Sequence, residues 1–149
     1  MYEDGYDVLN RASLFEGSFI PDVSGSAVMA VDVSYVDGFT IPMVCECNNH
    51  VVLGCNLNLH DMCPEELKLN EKTCINPYRE NIEAPEENIF EACAEIAYTY
   101  PTDDLATKVD IGGCGNNISC CMGTACKPHP QQKLCPAADG HAQECASPN

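Results

Sequence analysis

A chain of 149 residues can close one hydrophobic core and is too short to expect two independent ones. Its 23 acidic against 7 basic residues leave a formal charge of −16, which opposes nucleic acid and anionic membranes and favours neutral or cationic partners. No stretch approaches the roughly 20 apolar residues that cross a bilayer. Met1 runs straight into Tyr2, Glu3 and Asp4 instead of a basic and then apolar leader, so the chain reads as a mature form.

In chain order, Tyr2 to Leu14 and Phe19 to Val23 offer short strands separated by Gly17 and Pro21. Residues 27 to 36 form a β-branched run that predicts a strand with Val31, Val33 and Tyr35 on a core face and Asp32 and Ser34 on the other. Asp37-Gly38 is a turn signal, after which Phe39 to Val44 can return as a second strand. Pro42 cannot donate to a ladder, so that return strand is expected at an edge or a bulge. Loops are expected around Cys45 to Cys63, then a short helix opening at Pro64 with Glu65 and Glu66 in its first turn. A longer helix is predicted from Pro85, with Ile89, Phe90, Cys93 and Ile96 on one buried face. The acidity between Asp61 and Glu95 reads largely as a solvated surface. Past Pro101 the chain is expected to be irregular and held by bridges more than by burial.

Twelve cysteines in this length mark a disulfide scaffold made in an oxidising compartment. They are Cys45, Cys47, Cys55, Cys63, Cys74, Cys93, Cys114, Cys120, Cys121, Cys126, Cys135 and Cys145. Cys45-x-Cys47, Cys120-Cys121 and Cys121-x4-Cys126 lack the repeated Cys-x2-Cys pairs of a zinc site. Connectivity stays open, except that the adjacent Cys120 and Cys121 should take different partners. His50, His60, His129 and His141 are scattered and read as surface or packing residues. Asp103, Asp104 and Asp110 lack the ligand spacing of a calcium loop, so neither a metal nor a cofactor is expected. The sequon Asn117-Ile118-Ser119 is compatible with secretion, although such triplets also arise by chance.

Two long segments resemble the thaumatin-like family. The first is Val31-Asp32-Val33-Ser34-Tyr35-Val36-Asp37-Gly38-Phe39-Thr40-Ile41-Pro42-Met43; the second is Phe90-Glu91-Ala92-Cys93 leading to Ala97-Tyr98-Thr99-Tyr100-Pro101-Thr102-Asp103-Asp104. Gly54-Cys55-Asn56-Leu57, Cys63-Pro64 and the run Cys120 to Cys126 look like the fungal branch of the family. The resemblance covers about residues 13 to 135. It implies a mainly β fold, a thaumatin-like β-sandwich reduced at the N-terminus, with a disulfide-rich loop and helix region. The chain then divides into sandwich strands at 1–47, a loop and helix region at 48–104 and a cysteine-rich section at 105–149. The family's earlier strands and cysteines have no counterpart before Asp32, either because the form is naturally short or because the sequence lacks that section; a shortened sandwich is expected to leave an exposed sheet edge able to self-associate.

The resemblance also implies an acidic cleft, a secreted or cell-wall location, and binding of β-1,3-glucan-type polysaccharide. Asp32 and Asp37 match the strand signature, and Asp103 or Asp104 matches the aspartate after Tyr-Pro. Glu16 is the candidate for the cleft glutamate, and Arg11 does not replace the family's cleft arginine. Glu16 and Asp32 form the candidate catalytic pair, because glycoside hydrolysis needs one protonated and one ionised carboxyl. Asp37, Asp103 and Asp104 are candidates for sugar contacts, with Asp37 equally explained as a turn former before glycine. Binding alone, weak endo-β-1,3-glucanase activity, and a structural, assembly or effector role without a sugar site remain the competing functions.

Overall fold

The structure, a computed structural model, describes residues 2–3, 6–7, 10–21, 27–109, 117–139 and 141–146. In chain order the strands are β1 (Tyr2–Glu3), β2 (Tyr6–Asp7), β3 (Leu14–Pro21), β4 (Ala27–Ser34), β5 (Gly38–Phe39) and β6 (Met43–Cys47). They continue as β7 (His50–Cys55), β8 (Cys74–Ile75), β9 (Lys108–Val109), β10 (Ser119–Met122), β11 (Leu134–Pro136) and β12 (Ala142–Glu144). Two antiparallel three-stranded sheets, β3-β4-β9 and β10-β6-β7, are accompanied by the pairs β1-β2, β5-β8 and β11-β12.

Alternation along β4 sorts its side chains as a half-buried strand should. Val31, Val33 and the following Tyr35 are fully buried, and they share one continuous core with Cys45, Leu53 and Cys55 of the second sheet. Asp32 lies on the opposite face and is only partly covered. Tyr35 packs edge-on against Phe39, with ring centroids 5.3 Å apart, and its hydroxyl accepts from Met43 N–H at 3.2 Å. The buried Asn76 ties three segments together. Its Nδ2 donates to the carbonyls of Tyr35 (2.8 Å) and Thr99 (2.7 Å), and its Oδ1 accepts from Tyr78 N–H (2.7 Å).

Several expected elements differ. Asp37-Gly38 does not fold Phe39 to Val44 back onto β4, because β3 holds one edge of β4 while β9 and Tyr98 occupy the other. Gly38 and Phe39 pair instead with β8, and a side chain at Gly38 would stand 2.4 Å from the Arg11 carbonyl oxygen. Gly17 does not separate strands but lies inside β3, paired with Val31. The loops expected around Cys45 to Cys63 begin as a hairpin, β6-β7, closed by Asn48 and Asn49 at φ 50° and 66°. Two consecutive left-handed residues give the turn whose twist matches the strands, and asparagine tolerates that backbone better than other side-chain-bearing residues. At Gly54, φ is +89° and an added Cβ would fall 2.2 Å from the Met43 carbonyl oxygen, so glycine is required there.

Among the described residues the helical segments are single 3-10 turns at Leu59–Met62, Glu65–Leu67, Glu91–Cys93 and Asp104–Ala106. The opening at Pro64 is therefore observed as a short turn, whereas the helix predicted from Pro85 does not form. There the Asn88 side chain accepts from Phe90 N–H (2.9 Å), the Tyr78 hydroxyl accepts from Ile89 N–H (3.1 Å), and Glu95 turns left-handed at φ 67°. Side-chain capture of backbone donors competes with helix propagation. Phe90, Cys93 and Ile96 are still buried, so the apolar spacing reports core contact and not helix.

Between described residues, five disulfides join Cys45–Cys120, Cys55–Cys93, Cys63–Cys74, Cys121–Cys126 and Cys135–Cys145. Cys47 is also disulfide-bonded, and Cys114 lies outside the described residues. Adjacent Cys120 and Cys121 take different partners, as expected. The C-terminal section is also anchored by a buried amide pair: Gln132 Nε2 donates to Asn56 Oδ1, and Asn56 Nδ2 donates to the Cys126 carbonyl at 2.8 Å. His129 is buried and packs in this section, where desolvation lowers its pKa and its Nδ1 accepts from Gln131 N–H.

Asn76→Ala strands the Tyr35 and Thr99 carbonyls without their side-chain donor. A loss of about 3 kcal/mol, or roughly 10 °C in Tm, is expected from orphaned buried acceptors. A thermal melt with disulfides intact measures it, and a shift under about 2 °C contradicts the tie.

Candidate functional site

The ladder between β3 and β4 places Glu16 directly opposite Asp32 and Leu14 directly opposite Ser34. Directly paired residues project on the same face, with Cβ atoms about 4.5 to 5.5 Å apart, so the two carboxyl groups are neighbours by register. Leu14, Glu16, Asp32 and Ser34 line an open cleft of about 300 Å³, together with Val36, Asp37, Tyr98 and Pro101. Tyr98 reaches the cleft because its backbone pairs with β4, donating to the Val33 carbonyl and accepting from Tyr35 N–H, both at 2.8 Å. Its hydroxyl donates to Asp104 Oδ1 at 3.0 Å and bonds Thr107 Oγ1, which fixes the ring against the cleft wall.

Electrostatics separate the acids. Asp32 has its pKa raised from 3.8 to about 6, first by desolvation and then by the charge of Glu16. Its Oδ1 is buried without a hydrogen-bond partner. Asp37 also lines the cleft and forms an ion pair with Arg79, Oδ1 to Nε 2.8 Å. Arg79 thus supplies a cation beside the cleft.

Glu16, Asp32 and Asp37, picked from the sequence, meet in one cleft. Asp104 is exposed and touches the cleft through the Tyr98 hydroxyl. Asp103 does not line it. That side chain is buried and accepts from Glu95 N–H, Thr99 N–H and the Thr99 hydroxyl, which makes it a loop organiser. Burial raises the Asp103 pKa, against the lowering effect of those hydrogen bonds. Sequence reasoning missed Arg79, since nothing in Tyr78-Arg79-Glu80 links it to Asp37. Ser34 shares the Asp32 face, as the alternation predicts, but it is buried and its Oγ accepts from Val36 N–H at 3.3 Å. Among the described residues no cluster of histidine, cysteine, aspartate or glutamate has metal-holding geometry.

A disulfide-rich, mainly β protein with a cleft lined by Glu16, Asp32 and Asp37 is the class that these observations define. No family model matches the sequence. Individual proteins do: the pathogenesis-related 5 protein Jun a 3.0101 of Juniperus ashei is 31% identical over 106 residues, covering 60% of this chain and 47% of its own length. The pathogenesis-related 5 protein Cup a 3 of Hesperocyparis arizonica is 31% identical over 60% of this chain and 53% of its own. The pathogenesis-related thaumatin-like protein 3.8 of Cryptomeria japonica is 30% identical, again over 60% of this chain, and over 47% of its own length. These matches bear out the resemblance of the two signature segments to the thaumatin-like family. The chain spans about half the length of these relatives.

The raised Asp32 pKa fixes a pH dependence. The folded state holds this proton more tightly than the unfolded chain, so the group's contribution to stability is full below pH 3.8 and is lost as pH rises through about 6. Asp32→Asn should therefore raise Tm relative to wild type near neutral pH and leave it nearly unchanged in acid near pH 3, because the amide carries no charge at either pH. Paired thermal melts at the two pH values test this. Equal or lower stability of the variant near neutral pH contradicts the desolvated acid pair.

Proposed function

We propose that the cleft binds a neutral polysaccharide of the β-1,3-glucan type, outside the cell or in a cell wall. The observation that carries this reading is the convergence of Glu16, Asp32, Ser34, Asp37 and Tyr98 on one open groove. Carboxylates and hydroxyls at an open surface accept and exchange hydrogen bonds with sugar hydroxyls, and a groove of this size lies at the low end of ligand sites. The charge of −16 disfavours anionic polymers. Five disulfides support folding in an oxidising compartment. Retention on insoluble β-1,3-glucan, measured against an albumin control, should fall about tenfold in Glu16→Gln, the loss expected for a hydrogen bond to a charged group. Retention no higher than albumin contradicts the reading.

A second reading, weak endo-β-1,3-glucanase activity, is favoured by one specific observation. Asp32, with its pKa near 6, stands opposite Glu16, and unequal carboxyls in one site are what general acid catalysis requires. Asp32 would protonate the leaving oxygen while Glu16 serves as base or nucleophile. Reducing-sugar release from laminarin should then drop at least about a hundredfold in Asp32→Asn, the usual size of a lost general acid. Release unchanged by this substitution contradicts the enzymatic reading and leaves binding to be judged by retention.

A further inference from the structure

Asn117-Ile118-Ser119 is the one Asn-x-Ser/Thr triplet in the chain, and the cleft does not use it. The structure shows how it is presented. Ile118 packs against the main core, while Asn117 on one side and Ser119 on the other are exposed. An extended chain alternates its side chains in this way, so anchoring the middle residue turns both recognition residues of the sequon outward. Ser119 opens β10, which pairs with β6 through Ser119–Glu46 and ends at Met122 opposite Met43. All four residues of β10 are exposed, Met122 to 63%, and β10 forms the end of its sheet among the described residues. An open strand edge with an exposed apolar side chain needs cover, and bulky surface groups provide it.

We propose that Asn117 carries an N-linked glycan, attached at the head of the β10 edge. In the transfer, Asn117 Nδ2 displaces the pyrophosphate of a polyprenyl-pyrophosphate-linked oligosaccharide. The C1–N bond forms as the C1–O bond breaks, the amide gives its proton to a base of the transferase, and polyprenyl pyrophosphate leaves. No oxidant or reductant is involved. Ser119 is two residues from the acceptor and its hydroxyl supplies the second recognition element. Once β10 pairs with β6 and Cys45–Cys120 closes, the sequon is held in the sheet three residues from that bridge, so transfer belongs to the stage before this strand docks.

The experiment is expression of the full chain through the secretory pathway of a eukaryotic cell, followed by intact-mass measurement before and after peptide N-glycosidase. The wild type should lose one glycan mass and gain about one dalton as Asn117 becomes aspartate, the linkage being through the amide nitrogen. Asn117→Gln and Ser119→Ala should each leave the enzyme without effect, and Ser119→Thr, which keeps the hydroxyl, should remain glycosylated. Secreted wild type of unmodified mass overturns the proposal, as does a glycan that persists in Asn117→Gln. Because mass is read directly, the result does not depend on whether the cleft binds glucan.

Discussion

Tyr98 closes two backbone hydrogen bonds onto β4, to Val33 and Tyr35, and through them the segment that follows Cys93 becomes part of the sheet. The core face of the arrangement depends on it: Ala97 shares the buried cluster of Tyr35 and Phe39, the Asn76 amide donates to the carbonyls of Tyr35 and Thr99, and Cys93 is bridged to Cys55 of the second sheet. The cleft depends on it equally, since the Tyr98 ring stands on the same side as Asp32 and Ser34 and is held there by Asp104 and Thr107. One backbone pairing thus couples packing below β4 to the site above it.

The acid pair follows from the same ladder. Glu16 and Asp32 are opposite residues in β3 and β4, so their proximity is set by backbone register and not by flexible loops. Like charges directly across a ladder are destabilising, and partial burial adds desolvation. The chain keeps this arrangement in a region otherwise well satisfied, where Asp37 is paired with Arg79 and Asp103 with the amides of Glu95 and Thr99. Perturbed carboxyls are enriched where chemistry or recognition uses them, and the proposed sugar-binding role rests in part on that bias.

Much of this was legible in the residues. The period-2 run at 27 to 36 placed Val31, Val33 and Tyr35 inside and Asp32 outside, since strand alternation depends on local sequence alone. The cysteine count and spacings pointed to disulfides, which the described cysteines form. What failed was non-local. The turn signal Asp37-Gly38 predicts a return of Phe39 to β4, but both edges of that strand are taken by segments distant in sequence, β3 and the pair Tyr98 and β9. The helix from Pro85 was read from apolar spacing, which a compact 3-10 turn also satisfies once Asn88 and the Tyr78 hydroxyl capture the backbone donors. Asp103 and Asp104 are adjacent and chemically identical, so only the fold separates the buried loop organiser from the exposed partner of Tyr98.

Asp32 is a desolvated acid set against Glu16. Carbon-detected NMR of the side-chain carboxyl of Asp32 across a pH titration reads this state directly. A midpoint of about 6 is expected for Asp32, moving toward the ordinary aspartate value when Glu16→Gln removes the opposing charge. A midpoint at the ordinary value of 3.8 in the folded wild type would contradict it.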